Sequence, residues 1–580
     1  MTRSIRLERL KRVNSQIVHW GVNLLILLLA FWLRVSGVTN RSLWYDEAVE
    51  FMSANVPFGS LFEMITTVNL QPPLFTVMLH GWLKIGGEPV WLRLLPILIS
   101  MLTLVGVMKL GQLILGRTAG WLAGFIVATL PAEIYYAQDL GEYALAVCTL
   151  TWSLFFLYLA QKRSGWRYWI AWGLLATLST FSHYGMGIVI LASASVVLVE
   201  NVIRKRSVLI LRQSVVAFAF FIVGMPVLWM FFSQQLSKIQ ANLGAALPVT
   251  SLIQEANRFL RGTHDTFTFL LYGSPLSPIP KWLGAALLII FGLLVIRFYR
   301  QMPKRVFWWF VVTFAIYFVL VRTGLYAGVF GLRYSQIFTP ILVILVASAA
   351  VMLMRHVNRW LGVTLVVLTI TAALWAYPHP SGVNSVWNQD PWSPVEQMGP
   401  VFDKWWQRRH EDEVTYVYYG ANPAFRYYWW LNGSQASADA GDREHPSACL
   451  DDLTDSSCDE FGIYIGSWFR QLPVEEKLAR MEAQMGEWPQ KIWLLFGHVH
   501  ESEDEDIVKA LSSIYEVTDK FQEEGAAAYL LERTPPKGLA SYPYIGNWPN
   551  LRSGESIELL VYDVSAETRE PGDILDVTLY

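Results

Sequence analysis

Up to residue 377 the sequence is a succession of apolar runs separated by short polar links, and this leaves few ways to fold. Bilayer hydrocarbon has no water to pair exposed backbone groups, so an apolar run of about 20 residues crosses it as a helix. Runs of about that length lie at residues 17–33, 91–115, 119–135, 143–160, 168–181, 185–202, 208–232, 282–296, 306–321, 337–354 and 361–375. Composition agrees, with 53% of the 580 residues hydrophobic and only 16% charged, which excludes an ordinary soluble protein.

Charge then orients the runs. Residues 1–379 carry 30 Lys/Arg against 12 Asp/Glu, and residues 380–580 carry 15 against 35. A basic excess among apolar spans marks cytoplasmic loops rather than nucleic-acid binding. Arg3, Arg6, Arg9, Lys11 and Arg12 precede a first run too long for a signal peptide and without a small-residue cleavage site, so it reads as a retained helix with a cytoplasmic N-terminus. Residues 73–85 are the ambiguous case. Taken as an interfacial helix, they leave Lys162, Arg163, Arg167, Arg204, Lys205, Arg206, Arg300, Lys304 and Arg305 on the cytoplasmic side. The expectation is therefore a polytopic α-helical membrane protein of about eleven spans. Its membrane domain covers 1–379, an extracytoplasmic α/β domain covers 380–535, and a β-strand tail covers 536–580. On the outer face fall residues 39–90, 138–142, 182–184, 233–281 and 322–333, which hold most of the reactive side chains of this half.

Just beyond the first span stands Arg41-Ser42-Leu43-Trp44-Tyr45-Asp46-Glu47-Ala48-Val49-Glu50. Asp46 and Glu50 are one helical turn apart, and Asp46 reads equally as a cap at a helix start. A carboxylate partly withdrawn from water at a membrane surface can also act as a general base. At the mouth of the fourth span, the carboxylate oxygens of Asp139 and Glu142 can accept from sugar hydroxyls or ligate a divalent cation. His183 beside Tyr184 reads as a hydrogen-bonding pair or as a helix end. Arg258, Arg261, His264 and Lys281 in the long outer loop suit an anionic carrier or simply anionic lipid.

Arg34, Ser42 to Ala48, Gln71-Pro72-Pro73-Leu74 and the stretch from Gly86 to Arg93 together resemble the opening of the C-type glycosyltransferases that use polyprenyl-phosphate sugars. The resemblance is to the protein O-mannosyltransferase and aminoarabinose transferase type. Ala137 to Leu145, Ser182-His183-Tyr184 and Leu332-Arg333-Tyr334 continue it in order, so it covers roughly residues 17–355. It implies the C-type glycosyltransferase fold with interfacial outer helices, a polyprenyl-phosphate sugar donor, and a glycan, lipid or protein acceptor. It also implies an inverting single displacement with Asp46 as base, and Glu47 as a weaker candidate that orients Asp46 or the acceptor. Arg333 is the first choice to neutralise the leaving phosphate, because a guanidinium binds phosphate bidentately. Asp139, Glu142, Tyr143, His183, Tyr184, Arg258, Arg261 and Tyr334 are the further substrate-binding candidates. One departure stands out: the family shows an arginine after the acid and small residue of the fourth-span motif, where this chain has Gly141 after Asp139 and Leu140.

In the acidic half, strand-like patterns at 414–419, 462–466, 492–497 and 526–531 alternate with helical ones at 421–431, 474–485 and 504–515, which predicts a small α/β domain with a mostly parallel sheet. The acids after His498 and His500 suit a helix start better than a metal site. Cys449 and Cys458 are near enough for a disulfide if this half faces an oxidising compartment; three cysteines are too few for a disulfide scaffold or a thiolate zinc site. The last stretch, with strands around 556–562 and 574–580, resembles the start of a β-sandwich appended to some such transferases. A transporter or flippase also has many spans, but here the acids cluster at outer ends rather than mid-membrane, and no repeat is evident. A non-catalytic binding scaffold would not need the outer motif set.

Overall fold

The computed structural model describes residues 2–68, 71–242, 290, 292–322, 336–376, 396–410, 413–440, 457–458, 461–466, 472–486, 488–499, 503–534, 562–564 and 577–579. Two compact units divide the chain at residues 1–397 and 398–580.

The first unit is helical. α1 (Thr2–Val35) leads to three short helices, α2 (Tyr45–Ala54), α3 (Leu61–Thr67) and α4 (Leu74–Trp82). Long helices follow: α5 (Pro89–Leu115), α6 (Arg117–Thr129), α8 (Tyr143–Arg163), α9 (Trp166–Ser182), α10 (Met186–Ile203) and α11 (Ser207–Asn242), with the short α7 (Pro131–Ala137) between α6 and α8. After residues outside the described set come α12 (Lys304–Arg322), α13 (Thr339–His356) and α14 (Arg359–Ala376). Six helices of the described residues are long and apolar enough to cross a membrane: Gln16–Val35, Pro89–Leu115, Tyr143–Arg163, Met186–Ile203, Ser207–Gln235 and Gln336–His356.

Position follows from which faces are apolar. Every residue of α13 from Thr339 to Met352 is buried, as expected of a helix apolar all round at the centre of a bundle. α11 instead leaves Phe218, Phe221, Val223 and Trp229 exposed, the mark of a helix facing lipid. α5 and α6 approach closely because glycine permits it: a Cβ on Gly120 would sit 2.6 Å from the Met108 carbonyl oxygen.

Two expectations need correction. The run at 119–135 is not one helix, because Pro131 has no N–H and holds Leu130 extended (φ −69°, ψ 116°), so α6 stops at Thr129 and α7 restarts. α11 continues past residue 232 to Asn242. The ambiguous stretch at 73–85 contains the nine-residue α4, which at 1.5 Å per residue is about 13 Å long, less than half the hydrocarbon thickness.

The second unit holds a six-stranded sheet in the order β2-β3-β1-β4-β6-β5. The strands are β1 (Val414–Val417), β2 (Ser457–Cys458), β3 (Ile463–Ile465), β4 (Lys491–Gly497), β5 (Tyr515–Glu523) and β6 (Ala526–Arg533), with helices α15 (Met398–Arg408), α16 (Asn422–Ala440), α17 (Val474–Met485) and α18 (Glu503–Leu511). The sheet is mixed rather than mostly parallel. β1 pairs parallel with β3 and β4, while β2, β5 and β6 pair antiparallel. Gly525, at φ +68°, turns the chain after Glu524 so that β5 and β6 form a hairpin. The helix expected at 504–515 accordingly ends at Leu511, and Tyr515 opens β5. α16 packs its aromatic face inward, with Phe425 against Trp405 of α15 at 5.2 Å between ring centroids. Cys458 is disulfide-bonded; Cys449 lies outside the described residues. In the tail, β7 (Tyr562–Val564) and β8 (Val577–Leu579) pair antiparallel.

Candidate active site

The start of α2 separates its two neighbouring acids. Consecutive helical residues lie about 100° apart, so Asp46 is exposed while Glu47 is buried with 1% of its surface accessible. Glu47 is held on four sides. Arg93 donates from Nε to Oε1 at 2.8 Å and from Nη2 to Oε2 at 2.5 Å. The Leu140 amide donates to Oε1 at 2.9 Å, and the Trp44 amide to Oε2 at 3.3 Å, the acid's half of a capping box.

Arg93, in the first turns of α5, uses every N–H it has. Its remaining donors go to the carbonyl oxygens of Val38 (2.9 Å), Arg41 (2.7 Å) and Ser42 (2.9 Å). The 38–47 segment is thereby wrapped around one buried guanidinium, whose fixed fork suits several acceptors at once. Arg34, also buried, donates to Ser100 Oγ at 2.8 Å and to the carbonyls of Ala30, Val127 and Ala128. Sequence reasoning did not assign either arginine a place in the site. A lone arginine just inside an apolar run was the available signal.

The 138–142 turn is stitched to the same place. Gln138 Nε2 donates to the carbonyls of Arg34 and Ser36, and Trp44 Nε1 donates to Asp139 Oδ1 at 2.9 Å. Burial pushes the Asp139 carboxyl up to about 7, helped by the nearby Glu47 and Asp46 charges and opposed by the Trp44 hydrogen bond and Arg41. Glu142, also buried, sits at the N-cap of α8. Glu50 turns inward from α2 and accepts from Thr76 Oγ1 at 2.6 Å, so it does not share an environment with Asp46.

Aromatic rings extend the cluster. Arg41 lies 5.0 Å from the Tyr135 ring, Tyr136 and Tyr143 are 4.7 Å apart, and Tyr143 and His183 are 5.6 Å apart. His183 is buried, caps the end of α9, and accepts from the Gly185 amide through Nδ1 at 3.0 Å. Burial pushes its pKa down to about 4, so it is a neutral group near pH 7, not a phosphate-binding cation. Tyr184 turns elsewhere and donates to Gln235 Oε1 at 2.7 Å, while Gln235 Nε2 donates to the carbonyls of Ile65 and Gln71. Arg258, Arg261, His264, Lys281, Arg333 and Tyr334 lie outside the described residues.

Two residues from beyond α14 complete the cluster. Glu396 Oε2 accepts from the Tyr45 amide at 2.9 Å; Gln397 Oε1 accepts from the Ser42 amide and hydroxyl at 3.2 Å, and its Nε2 donates to the Asn40 carbonyl at 3.1 Å. Burial, with Asp46 and Glu396 adding to it, pushes the Tyr45 hydroxyl up to about 12. Nothing in the sequence links these residues to position 45.

In the second unit, Glu503 accepts from Lys477 and from Tyr418, and Asp504 accepts from Tyr529 at 2.9 Å. These acids are tied into the α/β core. No group of three or more His, Cys, Asp or Glu side chains placed to hold a metal ion occurs among the described residues.

Residues 70–229 match the family described as dolichyl-phosphate-mannose-protein mannosyltransferase. The fold is similar to that of ArnT from Cupriavidus metallidurans in the apo state, with a TM-score of 0.50 and 12% identity over 90% of this chain and 98% of that one. The same protein bound to undecaprenyl phosphate gives 0.49 and 12% over 88% and 98%. The archaeal oligosaccharyltransferase AglB from Archaeoglobus fulgidus, in complex with an inhibitory peptide and a dolichol-phosphate, gives 0.43 and 14% over 89% and 74%. No curated protein sequence matches the chain. The matched segment is under a third of the chain and contains Arg93, Asp139 and the 138–142 turn that anchor the cluster, and the likeness to ArnT is one of fold.

Proposed function

We propose that the protein transfers a sugar from a polyprenyl phosphate to an acceptor hydroxyl at the outer membrane face, by inverting single displacement. The acceptor oxygen attacks the anomeric carbon, the bond from that carbon to the phosphate oxygen breaks, and the polyprenyl phosphate departs with the bonding pair. The acceptor's proton passes to the Asp46 carboxylate. The observation that carries this assignment is the division of labour at the start of α2: Glu47 is committed to Arg93 and two amides, while Asp46 stays at the surface of the same turn. Glu47 is a positioning residue. Arg333, with Arg258 and Arg261, balances charge on the leaving phosphate, and Asp139, Glu142, Tyr143, His183 and Tyr334 contact sugar or acceptor, while Tyr184 keeps to Gln235.

This reading goes with eleven spans, a cytoplasmic N-terminus and an extracytoplasmic second unit, supported by the basic links and by the shortness of α4. The membrane domain is then 1–379, followed by an α/β domain to 535 and the β tail. Glycan, lipid and protein hydroxyls are the acceptor classes consistent with it. The test is in vitro transfer by purified Asp46→Asn with a polyprenyl-phosphate sugar. Asparagine keeps shape and hydrogen bonding but cannot take the proton, so turnover should fall by at least about a hundredfold at unchanged donor binding. Near-parental turnover would remove Asp46 from the chemistry.

A further inference from the structure

At the other end of α8 a cavity of about 1150 Å3 opens between the C-terminal ends of α8 and α10 and the start of α12. The rise from Tyr143 to Lys162 is about 28 Å, so this cavity lies nearly a bilayer core away from the Asp139 cluster. Its rim carries Lys162, Arg204, Arg206, Lys304 and Arg305 against one carboxylate, Glu200. Glu200 is already taken by Arg204 at 3.2 Å and by Arg305, whose Nη2 donates at 2.8 Å. Arg206 and Lys304 form no ion pair among the described residues. Tyr158 lies under two of the cations, with Lys162 at 5.2 Å and Arg305 at 5.3 Å from its ring centroid.

A second observation points to a ligand. Gln161 lines the cavity with 7% of its surface accessible, and neither its Nε2 nor its Oε1 has a hydrogen-bond partner among the described residues. Buried amides are rarely left so. The remaining wall is apolar, formed by Val196, Val199, Ile203, Trp308 and Val312. A soluble anion would have no use for that wall, whereas a phosphate attached to an acyl chain fits both parts. Basic pockets between membrane helices are where anionic headgroups bind.

We propose that this cavity is a second lipid site, holding the phosphodiester headgroup of an anionic phospholipid with an acyl chain against α10 and α12, separate from the sugar-donor site. The lipid phosphate accepts from Lys304, Arg206 and Gln161 Nε2 and bridges α8, α10 and α12 at the basic end of the bundle. The site is independent of the catalytic assignment.

The experiment is native mass spectrometry of the detergent-purified chain titrated with phosphatidylglycerol or phosphatidylcholine of identical acyl chains, with inorganic phosphate as competitor. Parent protein should retain one phosphatidylglycerol at least tenfold more tightly than phosphatidylcholine, and millimolar phosphate should not displace it. Lys304→Gln with Arg206→Gln should abolish the preference, while Lys304→Arg with Arg206→Lys should keep it, which separates loss of charge from loss of fold. Equal retention of the two lipids by the parent, or an undiminished preference in the double glutamine variant, would overturn the proposal. Displacement by inorganic phosphate would overturn the lipid in favour of a free anion.

Discussion

Replacing Arg93 with methionine strips five donors from the centre of the candidate site while keeping an unbranched side chain. Glu47, 1% accessible, would be left with two amide donors and no cation, and the carbonyls of Val38, Arg41 and Ser42 would each lose a donor. Breaking one side of a buried ion pair costs about 3–5 kcal/mol, and each orphaned carbonyl adds to it. The expected loss of unfolding free energy is therefore at least about 3 kcal/mol, read from SDS-titrated unfolding in mixed micelles by tryptophan fluorescence. Glu47→Gln should cost a similar amount by leaving the guanidinium uncompensated. Arg93→Met combined with Glu47→Leu should lose less than the two single changes together, because no buried charge remains. The reasoning fails if Arg93→Met costs under about 1 kcal/mol. A kinetic readout separates positioning from chemistry: on the proposed assignment, Glu47→Gln protein that still folds should retain far more turnover than Asp46→Asn. A loss as large as that of Asp46→Asn in folded Glu47→Gln protein would make Glu47 the base.

Other expectations are shorter to state. Asp139 has a folded pKa raised to about 7, so the folded state binds more protons than the unfolded one, and its stabilising protonated form is lost as pH rises from about 4 through about 7. Asp139→Asn should remove that decline from a stability-against-pH curve, and an unchanged slope would contradict the burial argument. A cysteine introduced near Gly399, at the exposed Pro400, should react with an impermeant reagent in intact cells; protection would refute the eleven-span orientation. Non-reducing peptide mapping should recover Cys458 linked to Cys449, and reduction should cost about 2–3 kcal/mol by loop entropy, whereas two alkylatable thiols would reject the pairing. Arg333→Lys should restore only part of the turnover lost in Arg333→Ala, because a point charge lacks the bidentate fork, and full restoration would reduce Arg333 to an interfacial anchor.

What the sequence made legible was what has a period or a charge sign. Apolar length placed the long helices, and the basic links set residues 73–85 aside from the spans, where α4 proves to be nine residues long. Alternation found β1, β3, β4 and β6 but carries no direction and misses β5, so β6, antiparallel to β4 and joined to β5 in the hairpin closed by Gly525, is expected from sequence in a mostly parallel sheet. In the site, Asp46 and Glu47 are adjacent letters with opposite burial, and only helix phase against Arg93 separates them. Arg93 enters the sequence reading only as the end of the family-like stretch from Gly86, since nothing local announces three carbonyls and a carboxylate converging on it. The contacts of Glu396 and Gln397 join positions some 350 residues apart, beyond the reach of any local pattern.

That last pair of contacts sets a schedule for biosynthesis. The amides of Ser42 and Tyr45 leave the ribosome early, yet their acceptors follow 355 and 351 residues later. At about 5–20 residues per second, the interval is roughly 18–70 s, during which the helices up to α14 can insert and assemble. A nascent chain halted after α14 would hold Asp46, Glu47, Arg93 and Asp139 and still lack the clasp over the start of α2. Transfer competence should therefore appear only when translation has passed residue 397, so the growing polypeptide times its own maturation.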